Sequence, residues 1–195
     1  IYVEDGGSLN LLKGTSITAY QNGHYCHYYS FDVYGTLRME DSFAGWSSKI
    51  RIVTEEGALI RNSTIDGNYY GIYCEYSYGI EIADCKITGN SEHGVYCYRC
   101  STIEISNCEI AENARHGVYC EYSSDVVVSG CEIDGNYYGV YCKNCSGIRI
   151  SNCMVYENYY GVYCKECSDV EVSNCAVGRN WRGICVYETS AEVHY

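Results

Sequence analysis

Asn136-Tyr137-Tyr138-Gly139-Val140-Tyr141-Cys142-Lys143-Asn144-Cys145-Ser146, continued by Gly147-Ile148-Arg149-Ile150-Ser151-Asn152-Cys153-Met154-Val155, is written again almost letter for letter from Asn158 to Val177. Moved upstream, the same text recurs from Asn113, Asn90 and Asn68, and a degraded copy begins at Asn180. The glycine of each copy falls at Gly71, Gly94, Gly117, Gly139, Gly161 and Gly183, in steps of 23, 23, 22, 22 and 22 residues. A fixed period of this length is the mark of a stacked repeat architecture.

Within one period the apolar residues alternate in short runs, Val140-Tyr141-Cys142, Ile148-Arg149-Ile150 and Cys153-Met154-Val155. Such alternation describes strands with one buried face. Gly, Asn and Ser between the runs suit the tight corners that join them. Three short strands and three corners in about 22 residues predict an all-β fold, a right-handed parallel β-helix (a β-solenoid) of about nine rungs. Each strand then pairs with its counterpart one repeat later, about 4.8 Å away, and equal positions become stacked columns. Val140, Cys142, Ile148, Ile150, Cys153 and Val155 are assigned to the interior. Asn68, Asn90, Asn113, Asn136, Asn158 and Asn180 are assigned to a corner ladder. Asp84, Asn107, Asn152 and Asn174 form a second polar corner stack, interrupted by Gly130.

Residues 1–66 carry a looser form of the coil, in which Asp5-Gly6-Gly7-Ser8-Leu9 aligns with Val33-Tyr34-Gly35-Thr36-Leu37 and with Glu55-Glu56-Gly57-Ala58-Leu59. They read as about three opening rungs of one 1–195 domain, with an excursion near 19–30 and a small loop at Trp46. Regular rungs fill 67–179, and 180–195 is a divergent last rung.

Composition agrees. The 195 residues include no Pro, against an average near 5%, and Pro is excluded from central strands. The net charge of -12 argues against a nucleic-acid partner, whose phosphates are neutralised by Lys and Arg. No apolar run reaches the roughly 18 residues of a membrane span. Fifteen Cys favour an oxidising compartment, hence an extracellular or cell-surface location. The absence of an initiator Met suggests that Ile1 begins a processed or trimmed chain.

These motifs, Gly-[IV]-Tyr, [IV]-x-[IV]-x-Asn and a following [IV]-x-x-Asn, resemble the pectin-lyase-like β-helix repeats, including those of the carbohydrate-binding and sugar-hydrolase type. The resemblance covers Asn68 to Asn180 clearly and the first third loosely. It implies a polysaccharide-related setting, but the catalytic patterns of the family are missing. There is no polygalacturonase Asn-Thr-Asp, Asp-Asp, Gly-His-Gly and Arg-x-Lys set, and an epimerase Asp-Pro-His is impossible without Pro. Glu109 and Glu132 would be stacked neighbours, a spacing at which two carboxylates share a proton or a cation; the alternative is a solvated acidic surface. No catalytic residue, metal site or cofactor is assigned.

Cysteine and tyrosine carry the unusual chemistry. Cys74, Cys97, Cys120, Cys142 and Cys164 make one column, and Cys85, Cys108, Cys131, Cys153 and Cys175 another. Cys100, Cys145 and Cys167 complete C-x-x-C pairs with the first. They are candidates either for disulfides or for buried free thiols filling a narrow interior, and stacked Cα atoms near 4.8 Å lie within bridging range. Of the five His, His93 and His116 stack at one corner and His24-x-x-His27 lies in the excursion; both are read as solvated.

Tyr73, Tyr96, Tyr119, Tyr141 and Tyr163 face outward, flanked by Tyr70, Tyr138 and Tyr160. A contiguous aromatic strip of this size marks an interaction surface. The expected function is a non-catalytic structural protein that assembles end to end, as a homo-oligomer or polymer, through its open β-helix ends. The alternative is a glycan-binding module using the tyrosine ladder.

Overall fold

A computed structural model describes residues 1–18, 30–47 and 49–194; the proposed excursion, with Tyr20, Tyr25, Cys26, Tyr28 and Tyr29 and both His24 and His27, lies outside them. Every element among the described residues is a strand. Three parallel sheets run along the coil. Sheet I has nine strands, from Tyr2–Val3 to Arg182–Tyr187, and sheet II nine, from Ser8–Leu11 to Ala191–His194. Sheet III has eight, from Ser16–Thr18 to Ala176–Gly178. The chain thus makes nine rungs, the last without a described third strand. No helix of the described residues is long and apolar enough to cross a membrane.

The register is the one the repeat dictates. Tyr96 pairs with Tyr119 and Cys97 with Cys120, and Tyr119 pairs with Tyr141. Val140, Cys142, Ile148, Ile150, Cys153 and Val155 are all buried. Each apolar side chain so withdrawn from water contributes about 1.5–3 kcal/mol. The third strand begins one residue later than the sequence suggests, at Met154, because Cys153 belongs to the corner before it.

The opening rungs differ from expectation in one register. Leu37 pairs with Ala58, not Leu59, so Ala58 and Ile60 point inward. Three residues separate Val33 from Leu37, whereas five separate their partners Ile52 and Ala58. Sequence matching across that corner slips by one, and a one-residue slip in a strand exchanges its two faces.

The asparagine ladder is present. Asn113 Nδ2 donates to Asn136 Oδ1 at 3.0 Å and to the Ile87 carbonyl at 3.3 Å, while Asn113 Oδ1 accepts from Asn90 Nδ2 at 2.7 Å. The backbone N–H of Asn90 also donates to Asn113 Oδ1, at 3.2 Å. Stacking therefore satisfies amides that are otherwise sealed from water. The same close approach explains the glycine column. A Cβ on Gly117 would lie 2.7 Å from the Gly139 carbonyl oxygen and 3.1 Å from Asn136 Nδ2. The second polar column is a different device. Asp84, Asn107, Asn152 and Asn174 are exposed and adopt φ of 52–55°, with Gly130 at 62°. It is a left-handed bend, which favours Asn, Asp and Gly, and it is not a buried ladder.

Candidate interaction face

The outer surface of sheet I carries four adjoining columns. Tyr73, Tyr96, Tyr119, Tyr141 and Tyr163 form the column the sequence identified, with consecutive ring centroids 5.2, 4.8, 4.9 and 5.2 Å apart. Beside it Tyr70, His93, His116, Tyr138 and Tyr160 make a second continuous column, joined by His93–His116 at 4.5 Å and Tyr138–Tyr160 at 4.7 Å. At the rim Tyr137, Tyr159 and Trp181 stack at 4.9 and 4.6 Å. On the other flank run Glu75, Tyr98, Glu121, Lys143 and Lys165.

This geometry changes what the tyrosines offer. Tyr96 and Tyr119 lie 5° from parallel, and Tyr138 and Tyr160 lie 9° from parallel. Their faces are spent on one another along the rod, and the rings are half-buried. What reaches solvent is mainly edges and hydroxyls. Tyr73 Oη donates to Glu75 at 2.7 Å. Burial, reinforced by the adjoining Glu75 or Glu121 carboxylate, raises the pKa of Tyr73, Tyr96 and Tyr119, so the phenols stay protonated donors. Aromatic pairing contributes about 0.5–1.5 kcal/mol per pair beyond burial, which makes the columns a stabilising spine as well as a surface.

His93 and His116 are not the solvated residues expected. They lie 13° from parallel, His93 is 4% exposed, and both Nδ1 atoms are buried without a hydrogen-bond partner among the described residues. Desolvation first, then the charge of His116 and Arg115, lowers His93 to about 3. Desolvation lowers His116 to about 4. A neutral imidazole pair replaces two tyrosines of the column, a substitution the sequence hides because the flanking rungs carry Tyr.

Charge on this face departs from that of the chain. Of thirteen Lys and Arg in the sequence, Lys49, Arg51, Arg115, Lys143, Lys165 and Arg182 stand on it. Of twenty-five acids, Asp32, Glu75, Glu92 and Glu121 stand on it, and two more adjoin it: Glu4, next after the Tyr2–Val3 strand, and Glu166, which pairs with Lys165 at 3.4 Å. Arg51 pairs with Glu75, Lys143 with Glu121 at 2.8 Å and Arg115 with Glu92 at 2.9 Å. Lys49 lies over the Tyr73 ring at 4.6 Å and Arg182 over Trp181 at 4.7 Å.

The fourteen described cysteines are unbridged in this structure. Cys74, Cys97, Cys120, Cys142 and Cys164 are fully buried and in register. Cys85, Cys108, Cys131, Cys153 and Cys175 instead line the corner between sheets II and III, where sulfur does the work of a hydroxyl. Cys108 Sγ donates to the Ser106 carbonyl at 3.2 Å, and the Cys85 N–H donates to Cys108 Sγ at 3.5 Å. Cys100, Cys145 and Cys167 occupy the equivalent corner between sheets I and II, in one column with Ser77, Ser123 and Thr189. There the Cys100 N–H donates to Ser123 Oγ, and the Ser123 N–H to Cys145 Sγ. The C-x-x-C spacing therefore joins an interior position to a corner position, and no group of three or more His, Cys, Asp or Glu among the described residues is placed to hold a metal.

On sheet III, Glu109 and Glu132 are stacked neighbours as expected. With Lys86, Glu112, Asp134 and Tyr156 they line a groove of about 480 Å³. Lys86 pairs with Glu109 and Tyr156 with Glu132. Burial, then the Glu132 charge, raises the pKa of Asp134.

The sequence pattern did not disclose the backbone conformation of the corner between sheets I and II. There Tyr76, Arg99, Tyr122, Asn144 and Glu166 adopt φ of 50–55°. The left-handed region costs a residue with a Cβ about 1–2 kcal/mol, and three successive rungs place bulky side chains in it.

A continuous three-sheet coil with an aromatic outer face defines a parallel β-helix protein. Residues 48–195 match the family described as the right-handed β-helix region, and the chain belongs to that family. No curated protein matches the sequence. Among solved structures it is similar to the tailspike protein gp49 from Pseudomonas phage LKA1, with a TM-score of 0.54 and 17% identity, covering 74% of this chain and 27% of that one. It is also similar to the A-module of the Azotobacter vinelandii mannuronan C-5 epimerase AlgE6, with a TM-score of 0.54 and 13% identity, covering 84% of this chain and 54% of that one. The chain thus spans about a quarter and about half of these two structures, and at such identities the likeness is one of fold.

Proposed function

We propose that this β-helix binds an anionic polysaccharide along the outer face of sheet I. The observation that carries the reading is the segregation of charge: in a chain of net charge -12, the aromatic face and its edge hold as many cations as acids. An acidic glycan is repelled by the other surfaces and drawn to this one. Tyrosine edges and hydroxyls, repeated at the rung spacing, supply hydrogen-bond partners for sugar hydroxyls. The polysaccharide in the name of the epimerase to which the fold is similar points the same way. An extracellular or cell-surface location belongs to this proposal.

Binding without turnover is the form proposed, since the family's catalytic motifs are missing from the sequence. The test is co-sedimentation with a uronan and with a neutral glucan. The uronan should bind, weaken with added salt and release the Lys143→Glu/Lys165→Glu variant. Equal binding of both glycans, or none, rejects the reading. Unsaturated or reducing-end products, with or without Ca²⁺, would reject the non-catalytic part.

End-to-end association is the second reading, and a register match favours it. Extending the columns from the ninth rung onto the first rung of another copy sets Ile184 over Ile1, Val186 over Val3 and Val193 over Leu11, apolar on apolar. Electron microscopy of the purified chain should show rods longer than one molecule; particles of one uniform short length dismiss it.

A further inference from the structure

Arg99 stands at the corner between sheets I and II, and no carboxylate among the described residues pairs with its side chain. Its guanidinium carbon lies 5.8 Å from the Tyr76 ring centroid, 5.4 Å from Tyr98 and 5.8 Å from Tyr122. Acids are close at hand, because Glu75 and Glu121 are the rung neighbours of Tyr98. Each is already engaged, Glu75 by Arg51 and Glu121 by Lys143. The guanidinium is held by ring surface while its fork of N–H donors is turned over to solvent.

The tyrosines here are arranged unlike those of the columns. Tyr76 meets Tyr98, and Tyr98 meets Tyr122, edge to face, at 88° and 86°. An edge-to-face pair covers one face of one ring alone, so ring surface stays open. Tyr76 and Tyr122 are 55% and 49% exposed. The cluster adjoins the sheet I face through Tyr98, whose ring lies 6.5 Å from that of Tyr96. An exposed cation, free donors and open aromatic surface thus meet in one place.

We propose that Arg99, with Tyr76, Tyr98 and Tyr122, forms an oxyanion-binding site that takes a carboxylate or sulfate substituent carried on a sugar. A planar guanidinium grips either group through two parallel N–H···O bonds, which an ammonium at the same place cannot reproduce. The tyrosine rings supply the apolar surface on which the sugar carrying the oxyanion rests. The sugar rests on the polysaccharide reading above; the oxyanion does not.

The test uses the full chain and nitrogen NMR of the arginine side chains. Inorganic sulfate is titrated first, then a uronate-bearing, a sulfated and a neutral disaccharide. Sulfate should move the Arg99 Nε signal saturably, and the charged disaccharides should bind about tenfold or more tighter than the neutral one. Arg99→Gln should abolish the preference and Arg99→Lys should lose most of it. Arg149→Gln, an exposed arginine on sheet II, should leave it unchanged. The stronger of the two charged sugars identifies the oxyanion. Absence of any saturable Arg99 response, or equal loss from Arg149→Gln, overturns the site. If sulfate and the charged disaccharides engage Arg99 while long uronans ignore the sheet I face, the site stands and the polysaccharide reading falls. Long uronans that bind Arg99→Gln as tightly as the parent overturn the site and leave the polysaccharide reading standing.

Discussion

The first three rungs and the five that follow wind the same coil from different residues. The opening interior is filled by Phe31, Leu37, Met39, Ile50, Ile52 and Ile60, and its corners by hydroxyls such as Ser42, Thr54 and Ser63. The later interior is built of Ile, Val and a cysteine column, with thiols at the corners. One column shows the exchange directly, running Val33, Ile52, Cys74, Cys97. A third corner separates the two regions further. The opening side has Ser47, whose N–H donates to Asn68 Oδ1 at 2.9 Å, and Lys49 in register with Gly71. The later side couples a buried Asn to a Gly that has no room for a side chain. The coil itself asks only for inward apolar groups and satisfied corners. The Asn–Gly and His–Tyr devices are additions, and they concentrate the sensitivity of the molecule in its later rungs.

Acid should expose this difference most strongly. The fold favours neutral His93 and His116, with pKa values of about 3 and 4 against 6.5 for the free group. Below pH 6.5 the unfolded chain takes up protons that the folded chain does not, so stability is full above that value and falls as pH drops towards 4. The loss at pH 4 is about 3 kcal/mol per imidazole. Asp134, raised by burial, acts in the opposite sense, so the comparison that isolates the pair is with a His93→Tyr/His116→Tyr variant. Denaturation from pH 7 to 4 should fall more steeply for the parent, and hydrogen exchange should rise first in residues 90–140. Equal slopes break the contrast.

Next in size is the ladder. Asn113→Leu strands the Asn90 N–H and the Ile87 carbonyl, and should cost about 4 kcal/mol, whereas Ser47→Ala, which keeps the backbone bond to Asn68, should cost about 1 kcal/mol. Urea melts of the two variants compare them. Gly117→Ala drives a Cβ into backbone and should cost about 2–3 kcal/mol. The open position Gly178, with nothing within 4 Å, should accept alanine with about no change.

The smallest effects distinguish the two kinds of thiol. Cys108→Val leaves a buried N–H without an acceptor and should cost about 2 kcal/mol, while Cys108→Ser should stay within about 1 kcal/mol, as Ser63 does in the opening half. Cys120→Val, in the interior column that ends in Val186, should cost under about 1.5 kcal/mol. Equal costs for both valines would remove the distinction between corner and interior sulfur.

Columns were legible because identical residues recur at one period: the interior set, the asparagine ladder and the tyrosine ladder all fall where the repeat places them. What one-dimensional reading lost depends on neighbours across rungs. His93 and His116 belong to the tyrosine column, but their burial comes from rings of their own two rungs and of the rungs on either side. Stacking turned the faces of Tyr96, Tyr119 and Tyr141, and of Tyr138 and Tyr160, upon one another, which no single repeat can show. Corner sulfur and interior sulfur share a residue type and differ in whether a backbone N–H and carbonyl face the thiol. Arg99 interrupts a position held by Tyr76 and Tyr122, and looks like drift until its ring contacts are seen.

The ladder of Asn68 to Asn180 also gives the rod a direction. Between Asn90 and Asn180, wherever two side chains are bonded, the amide nitrogen of one rung reaches the oxygen of the next, always toward the C-terminus. The side-chain dipoles therefore add instead of cancelling, as peptide dipoles do in a helix. One end of the file is rich in acceptors and the other in donors, so head and tail are electrically unlike before any ligand or neighbour arrives.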